Sequence, residues 1–349
     1  MSNYSFTDRL MHRVALGSRS LRELTFDLER RHSGSNNLQV QDQQHVLISG
    51  LARAGTTMLL RCLASSNEFA TQTYRDMPFP LAPGLWQKIS FSRRKTATLS
   101  ERAHGDGVDV GYDSEEAFEE VFWLTFAAES YLRENSLTAH TVEKEICEAY
   151  ATFVESVVAA NPSTKRYLAK NNNNCLRLGS VREALPNAAL LVPFRDPVQH
   201  ALSLSRQHQR FKTQQIDDPF TRDYMAWLGH FEFGLDHKPF VFDAPPEGNP
   251  SDLGYWLDLW TKTYSGIADT VPKGTHFFNF EYFCQHPEDT MSKLFAVLKI
   301  KHPLPHEILA KVTPQPMRST GFKLEDVALK KAYDLYDQLS AMAVNRNVR

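Results

Sequence analysis

The stretch from His45 to Leu63, HVLISGLARAGTTMLLRCL, constrains the fold more than any other part of the chain. His45 to Ser49 is a short apolar run, the signature of a buried parallel strand. Gly50 and Gly55 bracket a tight loop, and Thr56-Thr57-Met-Leu-Leu opens an amphipathic helix. A strand, a glycine-bounded loop and a helix in that order turn backbone N–H groups and the positive end of the helix toward an anion, and a phosphate fits best. Arg53 is the only cation inside the loop.

A second constellation lies at Arg195-Asp-Pro-Val-Gln-His-Ala-Leu-Ser203. The run Ala188 to Arg195 reads as the clearest strand of the chain, with Arg195 at its end. Asp196 suits an N-cap and Pro197 the first turn of the next helix. Arg195 and Ser203 are eight positions apart, so guanidinium and hydroxyl converge only if the turn folds back. Together they suit a phosphate monoester, to which an arginine can offer two parallel donors.

The first glycine loop has the spacing of a Walker A motif but carries Thr56 where that motif places its lysine. The doubled threonine and the cation within the loop, R-x-G-T-T, resemble the 5′-phosphosulfate loop of sulfotransferases, which use 3′-phosphoadenosine 5′-phosphosulfate (PAPS). The second constellation resembles the 3′-phosphate site of the same family, and the two occur in the family's order. The resemblance spans roughly Val46 to Met317 and is specific near the two motifs. It implies a three-layer, P-loop-like α/β fold with a mainly parallel central sheet flanked by helices, and a metal-free in-line transfer of a sulfonyl group from PAPS to a hydroxyl.

Carried onto this sequence, the family pattern assigns Arg53, Ala54, Gly55, Thr56 and Thr57 to the 5′-phosphosulfate, and Arg195 and Ser203 to the 3′-phosphate. Arg318, Ser319 and Gly321 fall where a turn could close over that phosphate, and Lys170 at a strand end where it could serve the sulfonyl group. For the base, Arg102-Ala-His104 resembles the Lys-x-His of cytosolic relatives, with arginine in place of lysine and Gly105-Asp106 in place of an apolar–proline pair. Asp76 occupies about the place of the carboxylate used by membrane-bound relatives, and Glu115, Glu116 and Glu119 are further candidates. No metal is implied.

The remainder alternates strands with helices, as expected of a parallel sheet. Residues 1–44 read as a helical arm, with a helix near Ser20 to Arg31 and a polar linker after it, suited to packing or to a homodimer contact. Residues 45–349 read as the sulfotransferase-like domain, with helical insertions at about 113–160 and 211–271. A short strand is expected over Thr71 to Pro80, a polar loop over Gln87 to Ser100, and a helix led by Ser114. Further strands are expected at Arg166 to Lys170 and His276 to Glu281, and helices near Val142 to Ala160, Leu176 to Leu185, Asp252 to Val271 and from Pro287 to Leu298.

Lys and Arg total 39 against 41 Asp and Glu, a balance that gives no support to binding of nucleic acid or to a charged membrane surface. Cys62, Cys147, Cys175 and Cys284 are scattered, without metal-ligand spacing, and suit a reducing cytoplasm. No apolar run is long enough for a transmembrane segment. A small molecule, lipid or saccharide remains open as acceptor, with the aromatic stretches Met77 to Trp86 and Phe211 to Phe242 able to line its pocket. Two other readings stand beside sulfonyl transfer. A P-loop kinase would need the missing lysine and a magnesium-holding aspartate, for which only Asp196 offers itself. A non-catalytic nucleotide-fold binding protein would fit the atypical segment around His104.

Overall fold

A computed structural model describes residues 6–33, 40–90, 100–101, 109–110, 118–302, 304, 306–313 and 326–345. Its strands are β1 (Val46–Ile48), β2 (Phe69–Ala70), β3 (Ser100–Glu101), β4 (Asp109–Val110), β5 (Leu137–Thr138), β6 (Arg166–Lys170), β7 (Ala189–Phe194), β8 (Phe240–Val241) and β9 (Thr275–Asn279). Five of these form the central sheet, in the order β2-β6-β1-β7-β9, and every neighbouring pair runs parallel. β1 lies in the middle, with Val46 opposite both Leu168 and Ala189. The carboxyl ends of β1, β6 and β7 therefore open on one edge, where open parallel sheets bind ligands.

Side chains of a strand alternate between its faces, and here the alternation sorts the core into two layers. Val46, Ile48, Leu168, Ala189 and Leu191 pack with Leu59, Leu63 and Met291, from the helices Thr56–Ala64 and Pro287–Leu298. Leu47, Tyr167, Leu190 and Val192 face the other way, into the core that includes Trp123, Tyr150, Trp256 and Trp260. That layer is supplied by the helices Glu120–Phe126, Lys144–Ala159 and Leu253–Thr270. The result is the expected three-layer α/β arrangement. No helix among the described residues is long and apolar enough to cross a membrane.

The arm forms two helices, Phe6–Gly17 and Arg19–Ser33. Phe26 packs edge-on against Phe122 and Phe126. Glu29, 1% exposed, accepts from the backbone N–H groups of Gly84 and Leu85 at 3.1 and 2.9 Å. It thereby satisfies the free amides that open the helix Pro83–Ser90.

Three expectations need correction. The segment Thr71 to Pro80 is not a strand: β2 ends at Ala70, and a 3₁₀ turn occupies Tyr74–Asp76. Asp76 Oδ2 accepts from Thr73 N at 2.8 Å while the Thr73 side chain bonds back, a capping box that curls the chain where prolines end the strand pattern. The strand read over His276 to Glu281 stops at Asn279, whose side chain accepts from Tyr282 N at 2.9 Å and caps a helix, Phe280–Gln285. Glu281 is thus helical. The segment Gln87 to Ser100 begins inside the Pro83–Ser90 helix, and residues 91–99 lie outside the described residues, as does Ser114.

Candidate functional site

The glycine loop leaves β1 under tight steric control. A Cβ on Gly50 would stand 2.9 Å from the carbonyl oxygen of Pro193 in β7, an oxygen that already accepts from the Tyr264 hydroxyl at 2.8 Å. Only a hydrogen fits there. Arg53 then takes a left-handed conformation, φ 71°, which costs a side-chain-bearing residue about 1–2 kcal/mol. Gly55 follows at φ 86°, and a Cβ on it would fall within the ring of Phe280. The helix Thr56–Ala64 starts immediately afterwards and presents its first amides at the loop.

His200 holds this loop from behind. It is fully buried, and its Nε2–H donates to the Ala52 carbonyl at 2.8 Å. Burial, aided by the nearby Arg195 and Arg53 charges, pushes the ring down to about 3, so it is neutral at physiological pH. His200 stands three positions before Ser203 on the helix Pro197–Asp217, a spacing that puts both on one face.

The strand β7 delivers Arg195 beside the loop. Asp196 caps the following helix through Gln199 N at 2.9 Å, and Pro197 takes its first turn, as the sequence predicts. Arg195 Nη1 donates to the Arg53 carbonyl at 3.1 Å, and Arg53 Nε donates to Ser203 Oγ at 3.3 Å. The two motifs thus meet directly: Arg53 sits between the guanidinium of Arg195 and the hydroxyl of Ser203. Arg195 Nε also lies 3.4 Å from Glu281 Oε1, and Glu281 Oε2 accepts from Asp196 N at 2.9 Å. Burial raises the Glu281 carboxyl, while Arg195 pulls it back. Tyr333, on the helix Asp326–Met342, donates to Asp196 Oδ2 at 3.1 Å. Sequence reasoning missed His200, Phe280 and Tyr333. The helical spacing of His200 from Ser203 was a usable signal for the first, whereas the others arrive by tertiary contact.

Lys170 ends β6 opposite Ile48, and Asn171 N donates to the Ile48 carbonyl at 2.9 Å. Lys170 therefore stands at the strand end beside the one that feeds the glycine loop, 8% exposed. The asparagine loop after it rests on two buried carboxylates. Glu119 accepts from Asn174 Nδ2 at 2.6 Å and from the Tyr167 hydroxyl at 3.0 Å. Glu120 accepts from Asn171 Nδ2 at 2.8 Å and from Arg177 at 3.0 Å, and bonds the Tyr131 hydroxyl as well. Glu119, a candidate base in the sequence, is 1% exposed and engaged as the acceptor beneath this loop. Asp76 is 4% exposed, and burial pushes its carboxyl up to about 6 against the pull of the Thr73 bond. His104, Glu115 and Glu116 lie outside the described residues, as do Arg318, Ser319 and Gly321.

The donor set is one for anions: two guanidiniums, the Ser203 hydroxyl and a helix N-terminus around a loop from which Cβ atoms are excluded at two points. A family model described as the sulfotransferase family matches residues 45–303. The fold is similar to that of the crystal structure of sulfotransferase STF1 from Mycobacterium tuberculosis H37Rv, with TM-score 0.51 at 10% identity, covering 94% of this chain and 85% of that one. It is also similar to the crystal structure of sulfotransferase STF9 from Mycobacterium avium, with TM-score 0.51 at 12% identity, covering 99% of this chain and 89% of that one. No curated protein matches the sequence.

Proposed function

This chain belongs to the sulfotransferase family, and from that premise we propose that it transfers a sulfonyl group from PAPS to a hydroxyl of a small molecule, lipid or saccharide. The observation that carries the donor assignment is the direct junction of the two motifs, Arg195 to the Arg53 carbonyl and Arg53 to Ser203. A donor with a 5′-phosphosulfate and a 3′-phosphate on one ribose needs two anion cradles side by side, and these residues supply them.

In this reading the Gly55 to Thr57 amides and hydroxyls and the Arg53 guanidinium hold the 5′-phosphosulfate, with Ala54 in the same loop. Arg195 and Ser203 hold the 3′-phosphate, and Arg318, Ser319 and Gly321 would add to it. The acceptor oxygen attacks sulfur in line with the bond to the 5′-phosphate. That bond breaks with its electron pair kept by the phosphate oxygen, where Arg53 and the helix end offset the developing charge. Lys170 serves the sulfonyl oxygens. The acceptor's proton must go to a base, for which Asp76 and His104 are the sequence candidates.

Calorimetric titration with adenosine 3′,5′-bisphosphate, without magnesium and beside ATP with magnesium, tests the donor. Metal-free binding that weakens at least tenfold in Arg195→Ala is the expected result. Binding of ATP with magnesium alone would overturn it in favour of a phosphotransferase, and binding of neither would favour a non-catalytic protein.

A further inference from the structure

The helix Pro197–Asp217, which carries Ser203, divides into a buried and an outer side. His200, Leu204, His208 and Phe211 are buried. The outer side begins with the half-buried Gln199 and Ser203 and continues as the exposed Arg206, Arg210 and Thr213. Residues three and seven positions beyond Ser203 share its face, so the two arginines follow the serine in a row. At about 1.5 Å of rise per residue, Arg206 stands about 5 Å and Arg210 about 10 Å beyond Ser203 along the axis. Ser203 Oγ accepts from Arg53 Nε at 3.3 Å, so the row starts where the two motifs meet.

Nothing along this face neutralises the two charges. From Pro197 to Ile216 the helix holds three cations, Arg206, Arg210 and Lys212, and no acidic residue. Arg9, Arg13 and Arg222, by contrast, are each paired with an aspartate: Asp218, Asp223 and Asp236. Arg206 and Arg210 have no acidic partner among the described residues. Two like charges one turn apart repel and slightly destabilise the helix that holds them, so the pair adds nothing to the fold through its charge. The chain as a whole carries −2, which at long range disfavours the approach of a polyanion. A nucleotide with several phosphate charges therefore meets an attractive field only locally, and this row supplies one that ends at Ser203.

We propose that Arg206 and Arg210 form an approach track for the donor, attracting the nucleotide by its phosphates and guiding it along the helix to Ser203 and Arg195. The inference rests on the sulfotransferase reading above. The two charges act on the free nucleotide before it docks, so they set the rate of association and not the lifetime of the complex. A row of one sign leading into a site raises the local concentration of an oppositely charged ligand. Its reach is the screening length, about 30 Å in 0.01 M salt and about 3 Å in 1 M. The span of about 10 Å from Arg210 to Ser203 falls inside the first and outside the second.

Stopped-flow mixing of the full chain with adenosine 3′,5′-bisphosphate, followed by intrinsic fluorescence, measures association and dissociation separately. The double variant Arg206→Glu/Arg210→Glu is expected to associate at least tenfold more slowly in about 0.01 M salt, with its dissociation rate within twofold of wild type. In about 1 M salt its association rate should match wild type, a recovery that a misfolded variant would not show. Arg206→Lys/Arg210→Lys keeps the charge, loses the guanidinium geometry and should associate at the wild-type rate in either salt. An association rate within twofold of wild type in the glutamate variant at low salt would overturn the track. So would a defect that persists at high salt, one that lies in dissociation, or a lysine variant as slow as the glutamate variant. A wild-type protein that binds no bisphosphate would instead overturn the sulfotransferase reading, and the track with it.

Discussion

His200 donates from Nε2 to the carbonyl of Ala52 across 2.8 Å, tying the helix that carries Ser203 to the back of the glycine loop. Burial pushes the imidazole down to about 3, so the ring makes this bond as the neutral Nε2–H tautomer. In the unfolded chain the same group takes up a proton near its ordinary value of 6.5. Its contribution to stability is therefore complete above about pH 6.5 and is lost as pH falls from there toward 3, by on the order of 1.4 kcal/mol per unit. His45 and His140, pushed down to about 4 and 3, add to the same acid-side slope. His200→Gln should remove its own share while keeping an N–H donor. Denaturant midpoints from pH 4 to 7 check this, and an unchanged slope would count against a buried neutral ring.

Asp76 carries the opposite sign. Its carboxyl is raised to about 6 in the fold, so the folded protein holds a proton that the unfolded chain gives up near 4. Stability from this group falls as pH rises from about 4 to 6 and stays at the lower level beyond. Asp76→Asn keeps an acceptor for Thr73 N and should raise stability near pH 7, by on the order of 2 kcal/mol. Thermal unfolding of wild type and variant at pH 4.5 and 7.5 separates the effects: the variant should gain only at the higher pH.

Gly55→Ala places a methyl group into the ring of Phe280 and forces a left-handed alanine. The conformation alone costs about 1–2 kcal/mol, and the collision can be relieved only by shifting Phe280, the neighbour of Glu281. Bisphosphate binding should fall more than tenfold while the circular dichroism of the variant stays native. Affinity within twofold of wild type would show the loop to be more forgiving than its packing implies.

Arg177 is buried with Glu120 at 3.0 Å, its guanidinium carbon 4.7 Å from the ring centre of Trp123 and 4.5 Å from that of Tyr131. Arg177→Met strands the Glu120 carboxylate in the core, at a cost of about 3–5 kcal/mol. Adding Glu120→Gln should return much of that loss. Urea unfolding of the two single variants and the double variant measures it, and strict additivity would show that the two do not act as a pair.

The fold was legible wherever local pattern and tertiary demand agree. β6 lies at Arg166–Lys170 and the helix at Pro287–Leu298, as read from apolar spacing and from a proline that opens a helix. Asp196 and Pro197 begin their helix for reasons contained in four residues. The reading failed where a side chain reverses the chain. Asp76 and Asn279 each bond a nearby backbone N–H, and such a bond converts an extended-looking segment into a turn or a helix start. In the proposed site, Arg53, Arg195 and Ser203 stand out in the sequence because glycine, proline and spacing mark them. Phe280 and Tyr333 do not, since their meaning depends on Gly55 and on Asp196, which only the fold brings beside them.

The pairing of Arg195 with Glu281 has one further consequence. If Arg195 receives the 3′-phosphate, Glu281 loses much of the attraction that offsets its burial and gains a negative neighbour, so its affinity for protons must rise. Nucleotide capture would then draw a proton from solution, and by reciprocity alkaline conditions would favour departure of the spent nucleotide. Such a coupling is recorded as a heat of binding that changes with the ionisation enthalpy of the buffer, and Glu281→Gln should abolish that change.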